Sequence, residues 1–190
     1  MFINEINWLL KAINIQGMSN YKSFETERLV IRPMVVTDAT FFLKLVNSPK
    51  WIQYIGDRNV HSLKDAQDYI QIKMIPQLER LGFGNNCVVR KQDGVIIGSC
   101  GLYDRDGLEG IDIGYAFLPE FEGAGYAFES VSKLKEMAFD EFSISVLNAI
   151  TLPENEASKK LLIKLGFEFQ KMVQIPNDPE KLMLFSATRN

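Results

Sequence analysis

One junction constrains this chain more than any other stretch. Residues 109–118 alternate as a strand, Pro119 stops the strand, and Gly123-Ala124-Gly125 leads straight into a helical pattern. Glu109, Ile111, Ile113, Tyr115 and Phe117 fall on one strand face, and Gly110, Asp112, Gly114, Ala116 and Leu118 on the other. Small residues on a strand face mark a place where something else comes close. The helix that follows puts Ala127, Phe128, Val131, Leu134 and Ala138 on one side. A glycine loop feeding a helix leaves several backbone N–H groups unpaired, and the helix dipole adds partial positive charge there. That suits a pyrophosphate, and glycine at 123 and 125 lets a ligand approach the main chain with no Cβ in the way. A tight turn that binds nothing has the same pattern, so the junction alone leaves both readings open. A dinucleotide fingerprint needs glycine where Phe128 stands, and a Walker loop needs a Gly-Lys-Ser/Thr that is absent.

The rest of the chain reads as one mixed α/β domain in the rough order β-α-α-β-β-β-α-β-α-β-β. Thr26–Arg32 is a strand ended by Pro33, and Thr37 is the expected N-cap of a helix that buries Ala39, Phe42, Leu43 and Val46. Residues 48–61 read as a loop carrying Trp51, Tyr54, Gly56 and His61. Ser62 and Asp65 form a capping box for a helix that Pro76 interrupts. Asp93-Gly94 between two apolar strands is a hairpin. Residues 145–151, 167–175 and 182–188 read as further strands, with a short helix over 155–165 closed by Gly166. Near the N-terminus, Phe2, Ile3, Ile6, Leu9, Leu10 and Ile13 have helical spacing. Two readings are open for that segment: a helix docked on its own domain or on a partner subunit, or residues ahead of a natural start at Met18.

Composition narrows the function. Lys+Arg number 21 against 24 Asp+Glu, so no basic footprint exists for nucleic acid or an anionic membrane. Apolar residues make up 46% of 190, enough for a sizeable core, and no apolar run reaches membrane-spanning length. Cys87 and Cys100 lie in apolar runs and read as reduced core residues. One histidine and no CxxC or HExxH leave no metal-site spacing. Without a signal-peptide pattern, a cytoplasmic location is the default.

A second motif completes the pattern: Pro153-Glu154-Asn155-Glu156-Ala157-Ser158, then Leu161, Lys164 and Leu165-Gly166-Phe167. Asn155 is a good N-cap, and Ser158 falls in the first turn of the helix it opens. With Glu25-Thr26-Glu27-Arg28-Leu29-Val30-Ile31-Arg32-Pro33, Gly98, Gly101-Leu102, Asp112-Ile113-Gly114-Tyr115, Leu118-Pro119-Glu120, Gly123 through Ala127 and Glu129, the chain resembles the GNAT superfamily of acetyl-CoA-dependent N-acetyltransferases. The resemblance runs from Phe24 to Thr188 and is greatest to the branch typified by ribosomal-protein N-terminal acetyltransferases.

The resemblance implies a GNAT fold over residues 23–190: a mostly antiparallel sheet of about seven strands flanked by about four helices, with 1–22 as an N-terminal helical extension. It implies that acetyl-CoA is the cosubstrate and that no metal takes part. The pyrophosphate would lie on the main chain of Glu122, Gly123, Ala124, Gly125, Tyr126 and Ala127. The pantetheine arm would pair with the backbone of Phe117 and Leu118, Asn155 would contact the cofactor, and Ser158 would sit by the thioester sulfur. The chain departs from the pattern at Glu120, at Glu122, and at Ala124, where a basic residue is usual. The expected reaction is direct attack by a neutral primary amine on the thioester. Ser158 would serve as donor to the leaving thiolate and Asp112 as first candidate base, through water, ahead of His61. Trp51, Tyr54 and Tyr115 are the candidate acceptor-pocket residues. The acceptor is a peptide N-terminus or a small amine, and the N-terminal apolar stripe leaves room for a homodimer. The competing reading is a non-catalytic domain that keeps the fold, either holding coenzyme A or serving a structural role.

Overall fold

A computed structural model of the chain describes residues 21–176 and 179–189. The helix expected over 2–15 lies outside these residues. The strands are β1 (Phe24–Glu25), β2 (Leu29–Pro33), β3 (Asn85–Arg90), β4 (Ile96–Asp104), β5 (Ile111–Phe117), β6 (Val146–Thr151), β7 (Glu168–Val173) and β8 (Leu182–Thr188). They form one 8-stranded sheet in the order β1-β2-β3-β4-β5-β6-β8-β7. All neighbours are antiparallel except β5 and β6. The helices are α1 (Ala39–Val46), α2 (Pro49–Tyr54), α3 (Leu63–Tyr69), α4 (Ile75–Leu81), α5 (Tyr126–Asp140) and α6 (Glu156–Lys164). The main core joins Leu29, Ile31, Ile97, Leu102 and Ile113 of the sheet to Val131, Leu134 and Ala138 of α5 and Leu162 of α6. A second cluster packs α1 and α3 around Phe42, Val46, Ala66 and Ile70.

The mixed α/β fold matches the sequence reading, with four local differences. The first strand does not run unbroken from Thr26: the chain bends between β1 and β2, and Thr26 and Arg28 turn toward α5. Thr37 lies in a 3₁₀ turn, Val36–Asp38, and Asp38 is the residue that precedes α1. The 48–61 segment is not all loop, because Pro49 at the first helical position opens α2. The interruption at Pro76 is a π-helical turn, Ile70–Met74, placed ahead of the proline. Pro76 has no N–H to close an α-turn, and a wider turn absorbs the missing bond. The capping box holds: Ser62 Oγ accepts from Asp65 N, and Asp65 accepts from Ser62 N.

The pairing of β5 with β6 positions the site. Only Ile111 with Leu147 and Asp112 with Asn148 are in register, after which the two strands part. β5 stays paired with β4 as far as Phe117. Leu118 N–H donates to the Ile97 carbonyl at 3.0 Å, and antiparallel alternation from there turns Asp112, Gly114 and Ala116 toward β4. The N–H and C=O groups of Ile113, Tyr115 and Phe117 therefore face the gap between β5 and β6.

Candidate active site

The glycine loop is built as its composition requires. Gly123 and Gly125 both adopt left-handed conformations, φ +74° and +82°, which cost an L side chain about 1–2 kcal/mol. Gly125 is the residue that caps α5. No described residue accepts a hydrogen bond from the backbone N–H groups of residues 123–128. Six consecutive unpaired donors at a helix N-terminus form an anion site.

A cleft of about 1050 Å³ runs from this loop along the β5–β6 gap to α2 and α3. It brings together most of the predicted residues. Phe117, Glu122, Gly123, Gly125, Tyr126 and Ala127 line its end at the glycine loop, Asn155 and Ser158 its middle, and Tyr115 and Asp112 its β5 wall. Trp51 and Tyr54, now on α2, line the far end, with Trp51 edge-on to Phe42. Ala124 and Leu118 do not line it. The expected pairing of Leu118 with a pantetheine arm fails: its N–H is held by Ile97, and its carbonyl accepts from Phe121 N at 2.9 Å. The groups free for such pairing belong to Tyr115 and Phe117. His61 is exposed, away from the cleft, with Asp57 3.9 Å distant.

In α6, Asn155 Oδ1 accepts from Ser158 N at 3.1 Å, so one side chain caps the helix and keeps its amide N–H₂ for other partners. Ser158 Oγ lies 3.0 Å from Tyr115 Oη. Burial pushes the Tyr115 phenol up to about 12, while the Ser158 hydrogen bond pulls the other way. Tyr115 is thus a partner of Ser158 as well as a wall of the cleft.

Asp112 is 1% exposed and is gripped at both oxygens, Arg105 Nε to Oδ1 at 3.1 Å and Nη2 to Oδ2 at 3.0 Å. Burial raises its carboxyl above the ordinary range, and the guanidinium opposes that rise. The small residues beside it make room for a neighbouring ring: a Cβ at Gly114 would meet Tyr103 Cε2 at 3.0 Å, and one at Gly101 would meet Tyr103 Oη at 2.6 Å. Tyr103 in turn donates to Asn85 Oδ1 at 2.8 Å.

Three features were not read from the sequence. Lys44 pairs with Glu120 at 2.6 Å and Lys50 pairs with Glu122, so α1 and the start of α2 neutralise the acidic loop. Arg105 is the partner of Asp112. Arg28 reaches the loop from the β1–β2 bend, with Nη1 donating to the Ala124 carbonyl at 3.1 Å. Arg28 lies in the first-strand motif, but nothing local in that motif reveals a partner 96 residues away.

A splayed mixed sheet with a main-chain anion site beside the splay is the architecture of an acyl-CoA-dependent transferase, and sequence comparison agrees. A sequence model of the acetyltransferase (GNAT) domain matches residues 28–168. The chain belongs to the GNAT acetyltransferase family. It is 31% identical over 151 residues to p20 of Bacillus licheniformis, named an N-acetyltransferase, covering 78% of this chain and 84% of p20. The fold matches the ribosomal-protein-S5-alanine acetyltransferase of Vibrio fischeri with a TM-score of 0.73 at 21% identity, over 88% of this chain and 96% of that one. It also matches RimL, a ribosomal L7/L12 α-N-protein acetyltransferase solved with coenzyme A, with a TM-score of 0.71 at 15% identity over 88% and 98%.

Proposed function

We propose that this acetyltransferase moves acetyl from acetyl-CoA to a primary amine, and that the acceptor is an α-amine. The observation that carries the reading is the run of six N–H groups at the head of α5 that are unpaired among the described residues, continuous with a β5 edge that, beyond Asp112, has no strand partner among them. The residues present fit acetyl-CoA. A Cβ built at Gly123 has nothing within 4 Å, so the loop is open to a phosphate, and the free groups of Tyr115 and Phe117 offer strand-like pairing to the pantetheine amides. Acetyl-CoA supplies an activated acetyl group as its thioester.

The chain supplies geometry and donors. Backbone N–H groups of Tyr115 and Phe117 face the gap where a thioester oxygen would lie, and such donors stabilise charge that develops there. With Tyr115 O–H directed at Ser158, the Ser158 Oγ–H would be free to donate to the departing sulfur, and the proton passed on through the two hydroxyls would be returned to the phenol from water. Held by Arg105 at both oxygens, Asp112 serves as a fixed charge on the cleft wall, and the amine's proton passes to water. The magnitudes favour an α-amine. With a pKa near ~8 about a tenth of it is neutral at pH 7, whereas an alkylamine near ~10.4 is neutral at well under ~0.1% and needs a strong base. The buried, unpaired thiols of Cys87 and Cys100 suit the cytoplasmic placement.

Coenzyme A release measured over a panel of peptides with free or blocked N-termini, lysine side chains and polyamines tests this. Release with free α-amines, and a gain of one acetyl group at that nitrogen by mass spectrometry, is the expected result. Binding of acetyl-CoA with no release over any acceptor would instead favour a non-catalytic domain.

A further inference from the structure

We infer that Arg28 is a positioning residue for the cofactor: it clamps the Ala124–Gly125 peptide so that the Gly125 N–H faces the pyrophosphate. The inference rests on the acetyl-CoA reading of the cleft. It begins with a conflict in the loop. Glycine at 123 leaves the main chain open and glycine at 125 takes φ +82° beside the Arg28 guanidinium, yet glycine leaves the intervening peptide units free to rotate. An anion site works only if its N–H groups converge, and a peptide flip replaces one donor with a carbonyl oxygen aimed at a phosphate.

The structure holds that peptide from behind. All described peptide bonds are trans, so the Ala124 carbonyl and the Gly125 N–H point in opposite directions. Arg28 Nη1 takes the carbonyl at 3.1 Å, on the side away from the cleft that Gly125 lines. Arg28 is itself fixed three ways. Its Nε donates to Glu129 Oε2 at 2.6 Å, it stacks 4.5 Å from the Tyr126 ring centre, and its own backbone N–H donates to Glu129 Oε1 at 2.9 Å. Thr26 Oγ1 donates to the same carboxylate oxygen. Burial pushes the Glu129 carboxyl up, but the bonds from Thr26 and Arg28 outweigh it and keep the group below its ordinary range. Glu129 is therefore a charged anchor in the first turn of α5, where the helix dipole favours an anion. The chain Thr26–Glu129–Arg28–Ala124 ties the strand bend, the helix and the loop into one unit.

Coenzyme A binding by calorimetry, with thermal unfolding alongside, tests the clamp. Arg28→Gln is expected to raise the dissociation constant for coenzyme A by about tenfold, in line with loss of a charge-assisted hydrogen bond. Turnover at saturating acetyl-CoA and the KM for the acceptor are expected to stay within about twofold, a split that general destabilisation does not produce. Arg28→Lys keeps the ion pair with Glu129, and hence the fold, but has no second arm for Ala124; it should weaken coenzyme A to the same degree. Arg28→Gln combined with Ala124→Lys restores a cation to the loop without restoring the clamp, and affinity should stay low. Wild-type affinity in Arg28→Lys, or recovery in the double variant, overturns the clamp. Failure of the wild-type protein to bind coenzyme A overturns the acetyl-CoA reading itself; wild-type binding with unaffected Arg28 variants overturns only the clamp.

Discussion

Removing Arg105 isolates the energetics of the β5 wall. Asp112 is 1% exposed, while the Arg105 side chain is 30% exposed, so the two halves of the pair are not equivalent. Deleting the carboxylate leaves a guanidinium that can turn toward water. Deleting the guanidinium strands a buried charge, which costs about 3–5 kcal/mol, or roughly 6–20 °C in Tm for a chain of this size. The loss depends on pH in a defined direction. Burial already raises the Asp112 carboxyl above its ordinary value of 3.8, with Arg105 opposing, so Arg105→Ala raises it further. An acid whose folded pKa exceeds its unfolded pKa holds its proton more tightly when folded. Stability then falls as pH climbs from the unfolded to the folded value, by about 1.4 kcal/mol per unit, and levels off above. Urea denaturation of Arg105→Ala between about pH 4.5 and 8.5 should show a deficit that grows with pH and then saturates. Arg105→Ala/Asp112→Asn lacks the stranded charge and should recover much of the loss at the upper end. A deficit flat across pH, or a double variant no more stable than the single, refutes this account. Turnover of Asp112→Asn, corrected for the folded fraction, addresses the other role: a loss beyond about hundredfold would restore the carboxylate as the base.

Ser158→Ala should lower kcat about tenfold while leaving the KM for acetyl-CoA unchanged, because the hydroxyl acts on the leaving group and not on the phosphates. Tyr115→Phe should lower kcat by a smaller factor, and by almost nothing when Ser158 is already alanine; full additivity in the pair would remove the relay. Gly125→Val places a branched side chain at φ +82° and against the Arg28 guanidinium, 3.4 Å from an added Cβ, so the loop and its N–H groups must shift and coenzyme A binding should vanish in calorimetry. The backbone strain of about 1–2 kcal/mol predicts a Tm loss of only about 2–8 °C, which keeps the fold intact for the measurement.

What the sequence revealed and what it hid divide along chain separation. The alternation of 109–118, the glycine loop and the α5 periodicity are local patterns, and the structure returns them as β5, Gly123–Gly125 and α5 within a few residues. The Asn155 cap and the position of Ser158 are equally local, fixed by helix geometry three residues apart. Helix α2 escaped because six residues cover less than two turns and show no period. The parting of β5 from β6 after two register pairs leaves no mark in either strand, since each remains apolar and alternating on its own. The lysine partners of Glu120 and Glu122 lie 76 and 72 residues away, and only the tertiary placement of α1 and α2 brings them near. The departures at Glu120 and Glu122 are visible in the sequence, but the cations that stand opposite them are not.

That neutralisation bears on how the loop would bind the proposed anion, and Glu122→Gln tests it. Two sources of attraction are available: lysine side chains drawn toward the loop, and the main-chain N–H groups of residues 123–128. The lysines are spent on the carboxylates, and both pairs are solvated, with side chains 61% and 48% exposed for Lys44–Glu120 and 56% and 31% for Lys50–Glu122. Exposed pairs of this kind contribute about 0–1 kcal/mol and are screened by salt. Removing the Glu122 charge therefore frees Lys50 for at most about a fivefold gain in coenzyme A affinity, vanishing as salt rises. The N–H groups are fixed, desolvated by any ligand that reaches them, and insensitive to salt by comparison. Titration of Glu122→Gln with coenzyme A at about 0.05 and 0.5 M salt should show a modest gain at the lower value and none at the higher. A gain of fiftyfold, or one that persists at high salt, would mean that side-chain charge governs the site and that the main-chain nest is secondary.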